Sequence, residues 1–94
     1  MKQSEKVYRK NKDIVSREID NELILMPIYK TNKEINEMYT LNESAAKTWN
    51  LIDGKRILGR IIDELHKFYG IQRERIEADI IEFVKDLKKI KVID

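Results

Sequence analysis

The spacing of apolar residues changes once along the chain, from a period of two to a helical period. Residues 13–19 form a weakly strand-like segment, and residues 22–29 form an almost continuous apolar run, which is typical of a strand buried on both faces. Residues 35–41 alternate with a period of two. Turn-forming and polar residues separate the three segments, so they predict a three-stranded antiparallel meander.

After the third strand, apolar residues recur at helical spacing. Asn42 is a good N-cap for a first helix, and Gly54 supplies its C-terminal stop. A second helix is predicted over 57–68 and a third over 73–89. Gly59 lies inside the second helix, where it indicates close contact with a neighbouring segment. Three strands followed by three helices around one core predict an α+β domain of the winged helix-turn-helix type.

The composition fits one soluble globular domain, because 41% of the 94 residues are hydrophobic and 38% are charged. No apolar run reaches about 18 residues, and no hydrophobic segment of a secretion signal is present, so we expect a cytoplasmic protein. Residues 1–12 carry five basic residues and one acidic residue. We therefore predict a flexible basic tail at 1–12 and a folded domain at 13–94. The tail either only solubilises the protein or touches an acidic partner or nucleic acid.

No residues in the sequence form a recognisable catalytic or metal-binding group. The chain has no cysteine, and its single histidine is His66. The carboxylates alternate with Lys and Arg along predicted helices, as solvated ion pairs do. Only three glycines are present, which is too few for a phosphate-binding loop. We therefore expect a protein that is not an enzyme and that needs no cofactor.

The most distinctive residues lie between 41 and 56: the pair "LN", then "SAA", Trp49 and Asp53-Gly54. Together with "IIDEL" in the second helix and the spacing "I..DI..F...L" in the third, they resemble the pyrroloquinoline quinone synthesis protein D family. This family is a group of small domains that recognise precursor peptides in ribosomal natural-product pathways. The resemblance covers residues 14–93. Ile57 stands where the family often has Thr or Ser, so the second helix should lack a strong cap.

The resemblance implies a non-catalytic protein that binds the leader segment of a ribosomally made precursor peptide. It would present the leader to a modifying enzyme, either a radical S-adenosylmethionine enzyme or a leader protease. The leader would add as a strand to the third strand and lie beside the third helix, because an open strand edge offers backbone donors and acceptors. Alternatively, this edge pairs with the N-terminal arm or with a second copy in a weak homodimer.

The third helix has an apolar arc that is wider than one core needs. Its predicted core stripe consists of Ile76, Ile80, Phe83 and Leu87. The flank with Ile81 and Val84 either packs on another element or forms a groove wall edged by lysines; the opposite flank, with Asp79 and Asp86, is the alternative position of the groove. The predicted peptide-binding residues are Asn36, Glu37, Met38, Tyr39, Thr40, Ile81, Val84, Lys85 and Lys88.

A winged-helix DNA-binding regulator is the main alternative function. Its third helix would enter the major groove and should be basic. Residues 73–89 carry five basic and five acidic residues, so the predicted helix is neutral and matches phosphates poorly. A third alternative is a structural subunit that docks on an enzyme without touching its substrate.

Overall fold

The structure is a computed structural model that describes residues 3–27 and 39–93. It consists of a short 3₁₀ helix (Gln3–Glu5), strands β1 (Ile14–Ile19), β2 (Glu22–Pro27) and β3 (Tyr39–Leu41), and helices α1 (Glu43–Leu51), α2 (Leu58–Tyr69) and α3 (Arg73–Lys89). The predicted α+β class, with three strands followed by three helices, is confirmed. No helix in the described ranges is long and apolar enough to cross a membrane.

The sheet is antiparallel, with the strand order β1–β2–β3. Asp20 and Asn21 connect β1 to β2 with φ angles of 50° and 67°. A two-residue hairpin turn requires such positive values, and Asp and Asn tolerate them better than most residues do. The pair Ile19 and Glu22 closes the hairpin directly beside this turn.

One face of the sheet packs against the helices. Leu23 pairs with Leu41 between β2 and β3, and both side chains are buried. Leu25, two positions along β2, is fully buried on the same face. The burial of these leucines holds β3 against the helical layer, and the chain enters α1 directly after β3.

Helix α1 begins where the sequence predicts. The Asn42 side chain accepts a hydrogen bond of 2.9 Å from the backbone N–H of Ala45 and so caps the first turn. Trp49 is 2% exposed and is therefore a core residue. After the helix, Gly54 has a φ of 78°, and its N–H donates to the carbonyl oxygen of Tyr8.

Helices α2 and α3 complete the core. No side chain caps the start of α2 at Ile57, which confirms the expected weak cap. Gly70 ends α2 in the left-handed conformation, with a φ of 69°. The α3 residues that are buried are Ile76, Ile80, Val84 and Leu87.

The N-terminal arm, residues 3–12, corrects the prediction of a flexible tail. Tyr8 is only 4% exposed and belongs to the hydrophobic core. The Leu58 N–H donates to the Lys6 carbonyl oxygen at 2.8 Å. Two isolated β-bridges also hold the arm: Val7 with Ile57 and Lys10 with Ile93. One aromatic anchor and backbone hydrogen bonds hold this segment, and neither produces a periodic sequence pattern.

The arm crosses α2 at Gly59. A Cβ atom at Gly59 would lie 3.3 Å from the carbonyl oxygen of Ser4, closer than most real Cβ contacts. The close contact predicted for this glycine is therefore present, and its partner is the arm.

Candidate functional site

A mostly apolar cleft of about 350 Å³ lies between α1, α2 and α3. It begins at the residue that follows β3, since Asn42 belongs to its lining. The lining residues come from all three helices and the α2–α3 connection: Asn42, Ser44, Ala45, Thr48, Leu65, Tyr69, Ile71, Ile76, Asp79, Ile80 and Phe83. The cleft is open to solvent and large enough for one or two side chains of a bound segment.

The α1 wall of the cleft is made of small residues, most of whose polar groups are already used. The Thr48 hydroxyl donates to the carbonyl oxygen of Ser44 at 3.1 Å. The Asn42 side-chain oxygen accepts hydrogen bonds from Ser44 and Ala45. The part of this wall that remains for a ligand is the Asn42 side-chain NH2 together with methyl and methylene groups.

The α3 wall presents Ile76, Asp79, Ile80 and Phe83, which share one helix face because they are separated by three or four residues. Phe83 is half-buried, so part of its ring remains available. Asp79 is exposed and is the one charged residue among the described residues that line the cleft.

Exposed aromatic and aliphatic side chains continue the apolar surface at one end of the cleft. Phe68 is 63% exposed and Ile71 is 45% exposed. Tyr69 meets Phe68 edge to face, with 4.9 Å between ring centroids. The Ile71 carbonyl oxygen accepts a 2.6 Å hydrogen bond from Nδ1 of His66, which requires a protonated Nδ1. His66 therefore has a structural role in holding the α2–α3 connection.

Strand β3 is one of the two outer strands of the described sheet, and it leads directly into the cleft. Strand β1 is the other outer strand, but five of its six residues are exposed and none of them lines the cleft. The N-terminal arm bridges to Ile57 and Ile93, not to β3. Of the two outer strands, β3 is therefore the one with a side-chain pocket beside it.

The family model described as "Coenzyme PQQ synthesis protein D (PqqD)" matches residues 22–93. The chain belongs to the PqqD family. The family resemblance predicted from the sequence is thus confirmed. A curated relative, the PqqA binding protein of Pseudomonas syringae pv. syringae (strain B728a), is 47% identical over 57 residues. The matched segment covers 61% of this chain and 60% of that relative, which is less than two thirds of its length.

A solved structure, "TbiB1 in Complex with the TbiA(beta) Leader Peptide", has the same fold as this PqqD family member. The TM-score is 0.79, and the match covers 92% of this chain and 94% of that one. The two chains are 20% identical, so the match shows the fold alone.

The predicted peptide-binding residues are distributed over several parts of this PqqD family member. Asn36, Glu37 and Met38 lie outside the described residues. Thr40 is exposed on β3, and Tyr39 is half-buried against the core. The four residues predicted on α3 do not line the cleft: Ile81, Val84, Lys85 and Lys88.

Val84 requires a correction, because it is 0% exposed and belongs to the core. Phe83, which the sequence assigned to the core, is half-buried and lines the cleft. The apolar arc of α3 is wider than the core, so periodicity alone could not fix which edge is buried. The cleft lies on the alternative flank, the one that carries Asp79. The width of the arc was the signal that could have identified Phe83, whereas nothing in the sequence singled out Ala45 or Thr48.

Positive charge gathers away from the cleft, on the N-terminal arm and the α1–α2 loop. The residues there that form no ion pair with a described residue are Lys6, Arg9, Lys10, Lys12 and Lys55. Backbone N–H groups of Arg56 and Lys55 bind the Asp53 carboxylate and lower its pKa. Burial lowers the pKa of Lys10, whose ammonium lies 5.0 Å from the centroid of the Trp49 ring. The described residues contain no cluster of His, Cys, Asp and Glu that could hold a metal ion.

Proposed function

We propose that this PqqD family member binds the leader segment of a ribosomally made precursor peptide and presents it to a modifying enzyme, without catalysing a reaction itself. The observation that carries the proposal is the position of the apolar cleft beside the outer strand β3. In peptide binding by strand addition, backbone hydrogen bonds supply affinity and adjacent side-chain pockets supply selectivity. The two features that this mode needs are next to each other here.

The relatives support the same type of partner. One relative is named a PqqA binding protein, and the structure with the same fold contains a leader peptide. The partner enzyme would be a radical S-adenosylmethionine enzyme or a leader protease, and the complex would form in the cytoplasm.

The leader would run along β3 and place one large apolar side chain in the cleft. Tyr39 and Thr40 are the proposed contacts on the described part of β3; Asn36, Glu37 and Met38, which lie outside the described residues, are proposed contacts as well. The α3 contacts that the geometry favours are Ile80 and Phe83, because both line the cleft. Ile81, Lys85 and Lys88 lie outside the cleft and would contact only a part of the leader that extends beyond it.

Duplex DNA suits this surface poorly. Helix α3 is neutral, and its cleft-facing residue Asp79 would repel phosphates. The arm and the α1–α2 loop carry the free positive charge, but neither lies on α3, the helix that winged-helix proteins place in the major groove.

The test fills the cleft and measures binding of the synthetic precursor peptide PqqA by calorimetry. Ala45 lines the cleft, whereas Ala78 is exposed on α3 and does not line it. Ala45→Leu should weaken binding by about tenfold or more, because the added side chain occupies the space of the leader's anchor. Ala78→Leu, the matched control, should bind like the parent protein.

Mass spectrometry of the titrated peptide should show no change in mass. Turnover of the peptide by the purified protein, or failure of the parent protein to bind it, would contradict the proposal. Circular dichroism must confirm that both variants are folded.

A further inference from the structure

We infer that the cleft selects leader segments in which a large apolar residue lies close to a positively charged one, and that Asp79 recognises the positive charge. The inference rests on the proposed function and adds the chemical class of the leader. It assigns the apolar residue to the cleft and the cationic residue to its opening.

The first observation is that Asp79 lacks a cationic partner within the described residues. Arg73, on the same helix, is already bound by Asp63 at 2.8 Å and by Glu77 at 3.5 Å. Asp79 therefore forms no ion pair with a described residue, in a cleft whose other described lining residues are uncharged.

The second observation is the surroundings of that carboxylate. Ile76, Ile80 and Phe83 lie on the same wall, and most polar groups of the opposite α1 wall are engaged within α1. A bound peptide would exclude water from this region, and an ion pair is stronger where water is excluded. An acidic side chain next to the anchor would meet Asp79 and be repelled, whereas Lys or Arg would be attracted.

Each flank of α3 carries both signs of charge, since Arg75 lies one turn before Asp79 and Glu77 lies near Lys88, but the residue that lines the cleft is Asp79. Asp79 and Asp86 are seven residues apart, so both lie on the flank of Phe83. Lys85 and Lys88 lie on the other flank and do not line the cleft. If those lysines set the preference, the leader should instead carry acidic residues. The two flanks therefore predict opposite leader charges.

The experiment selects binders from a displayed library of random dodecapeptides, with the full chain as bait. Peptides enriched by the parent protein should share a large apolar residue with Lys or Arg within four positions of it. Asp79→Lys should shift the enriched charge from basic to acidic. Lys85→Glu is the matched control, since it also changes one exposed charge on α3, and it should leave the preference unchanged.

One enriched peptide is then titrated beside its counterpart with the basic residue replaced by Glu. The parent protein should prefer the basic peptide by about fivefold, the size expected of a partly exposed ion pair, and the preference should shrink in high salt. With Asp79→Lys the order should reverse. Circular dichroism should show both variants folded, since Asp79 and Lys85 are exposed.

Three results would overturn the inference, the assignment of the flank, or the proposed function. If enriched peptides bind and Ala45→Leu weakens them, but neither the library nor Asp79→Lys shows a charge preference, the charge inference is wrong and the proposed function stands. If the enriched peptides carry acidic residues instead, and this preference is lost in Lys85→Glu, the flank of α3 with Lys85 contacts the leader. If the bait enriches no peptide at all, the proposed function fails together with the inference.

Discussion

Phe83 and Val84 are neighbours on α3, and the structure assigns them opposite roles. Val84 is 0% exposed and packs in the core. Val84→Ala removes two buried methyl groups, each worth about 0.8 kcal/mol, and the small cavity left behind raises the total cost to about 2 kcal/mol. For a domain of this size, that loss lowers Tm by roughly 8–16 °C.

Phe83→Ala should have the reverse effect, with a smaller loss of stability and a larger loss of leader affinity. Because the Phe83 ring is half-buried, its removal costs less core packing than the loss of a fully enclosed aromatic residue. A bound leader would cover the remaining part of the ring. Its loss should weaken leader binding by about tenfold, which corresponds to about 1.4 kcal/mol.

Urea unfolding and calorimetric titration with the same leader peptide measure both effects. Val84→Ala should lose stability, while its folded fraction should bind the peptide as the parent protein does. Phe83→Ala should lose affinity. If Val84→Ala instead keeps its stability and loses peptide affinity, the Val84 flank forms the groove wall, as the sequence first suggested.

Two further predictions concern the N-terminal arm and the α1–α2 loop. Tyr8→Ala should lower the free energy of unfolding by about 3 kcal/mol in urea, because the buried ring anchors the arm. Lys12→Ala changes an exposed residue of the same arm and is the control. Equal stability of the two variants would contradict the packing of the arm. Asp53 has a lowered pKa in the folded protein, so its stabilisation is complete above its ordinary pKa and is lost as the pH falls through the lowered one. Asp53→Ala should therefore be less stable than the parent at neutral pH in urea unfolding, and the difference should shrink as the pH falls through the lowered pKa. A difference that stays the same in strong acid would refute the linkage.

The elements were predictable because local patterns encode them. The predicted third helix, 73–89, has the bounds of α3, and the second differs from α2 by one residue at each end. The turn at Asp20 and Asn21 and the cap at Asn42 depend on side chains that act within a few residues of their own position. Such features can be identified without knowledge of the tertiary structure.

Two features could not be predicted, for physical reasons. The arm is held by Tyr8 and by backbone hydrogen bonds to distant residues, and backbone groups are the same in every sequence. The orientation of α3 depends on which edge of its apolar arc packs in the core and which edge lines the cleft. A helical wheel gives the width of that arc but not its partners, so it exchanged the roles of Phe83 and Val84.

The most direct test of the central claim is a backbone amide NMR titration of the isotope-labelled protein with a leader peptide that it binds in calorimetry. We expect the largest shifts at Thr40 and Leu41 of β3 and slowed hydrogen exchange at Thr40, whose N–H points away from β2. Further shifts should occur in the first turn of α1 and around Phe83. Perturbations confined to the arm and the α1–α2 loop, near Arg9 and Lys55, with β3 unchanged, would contradict leader binding beside β3.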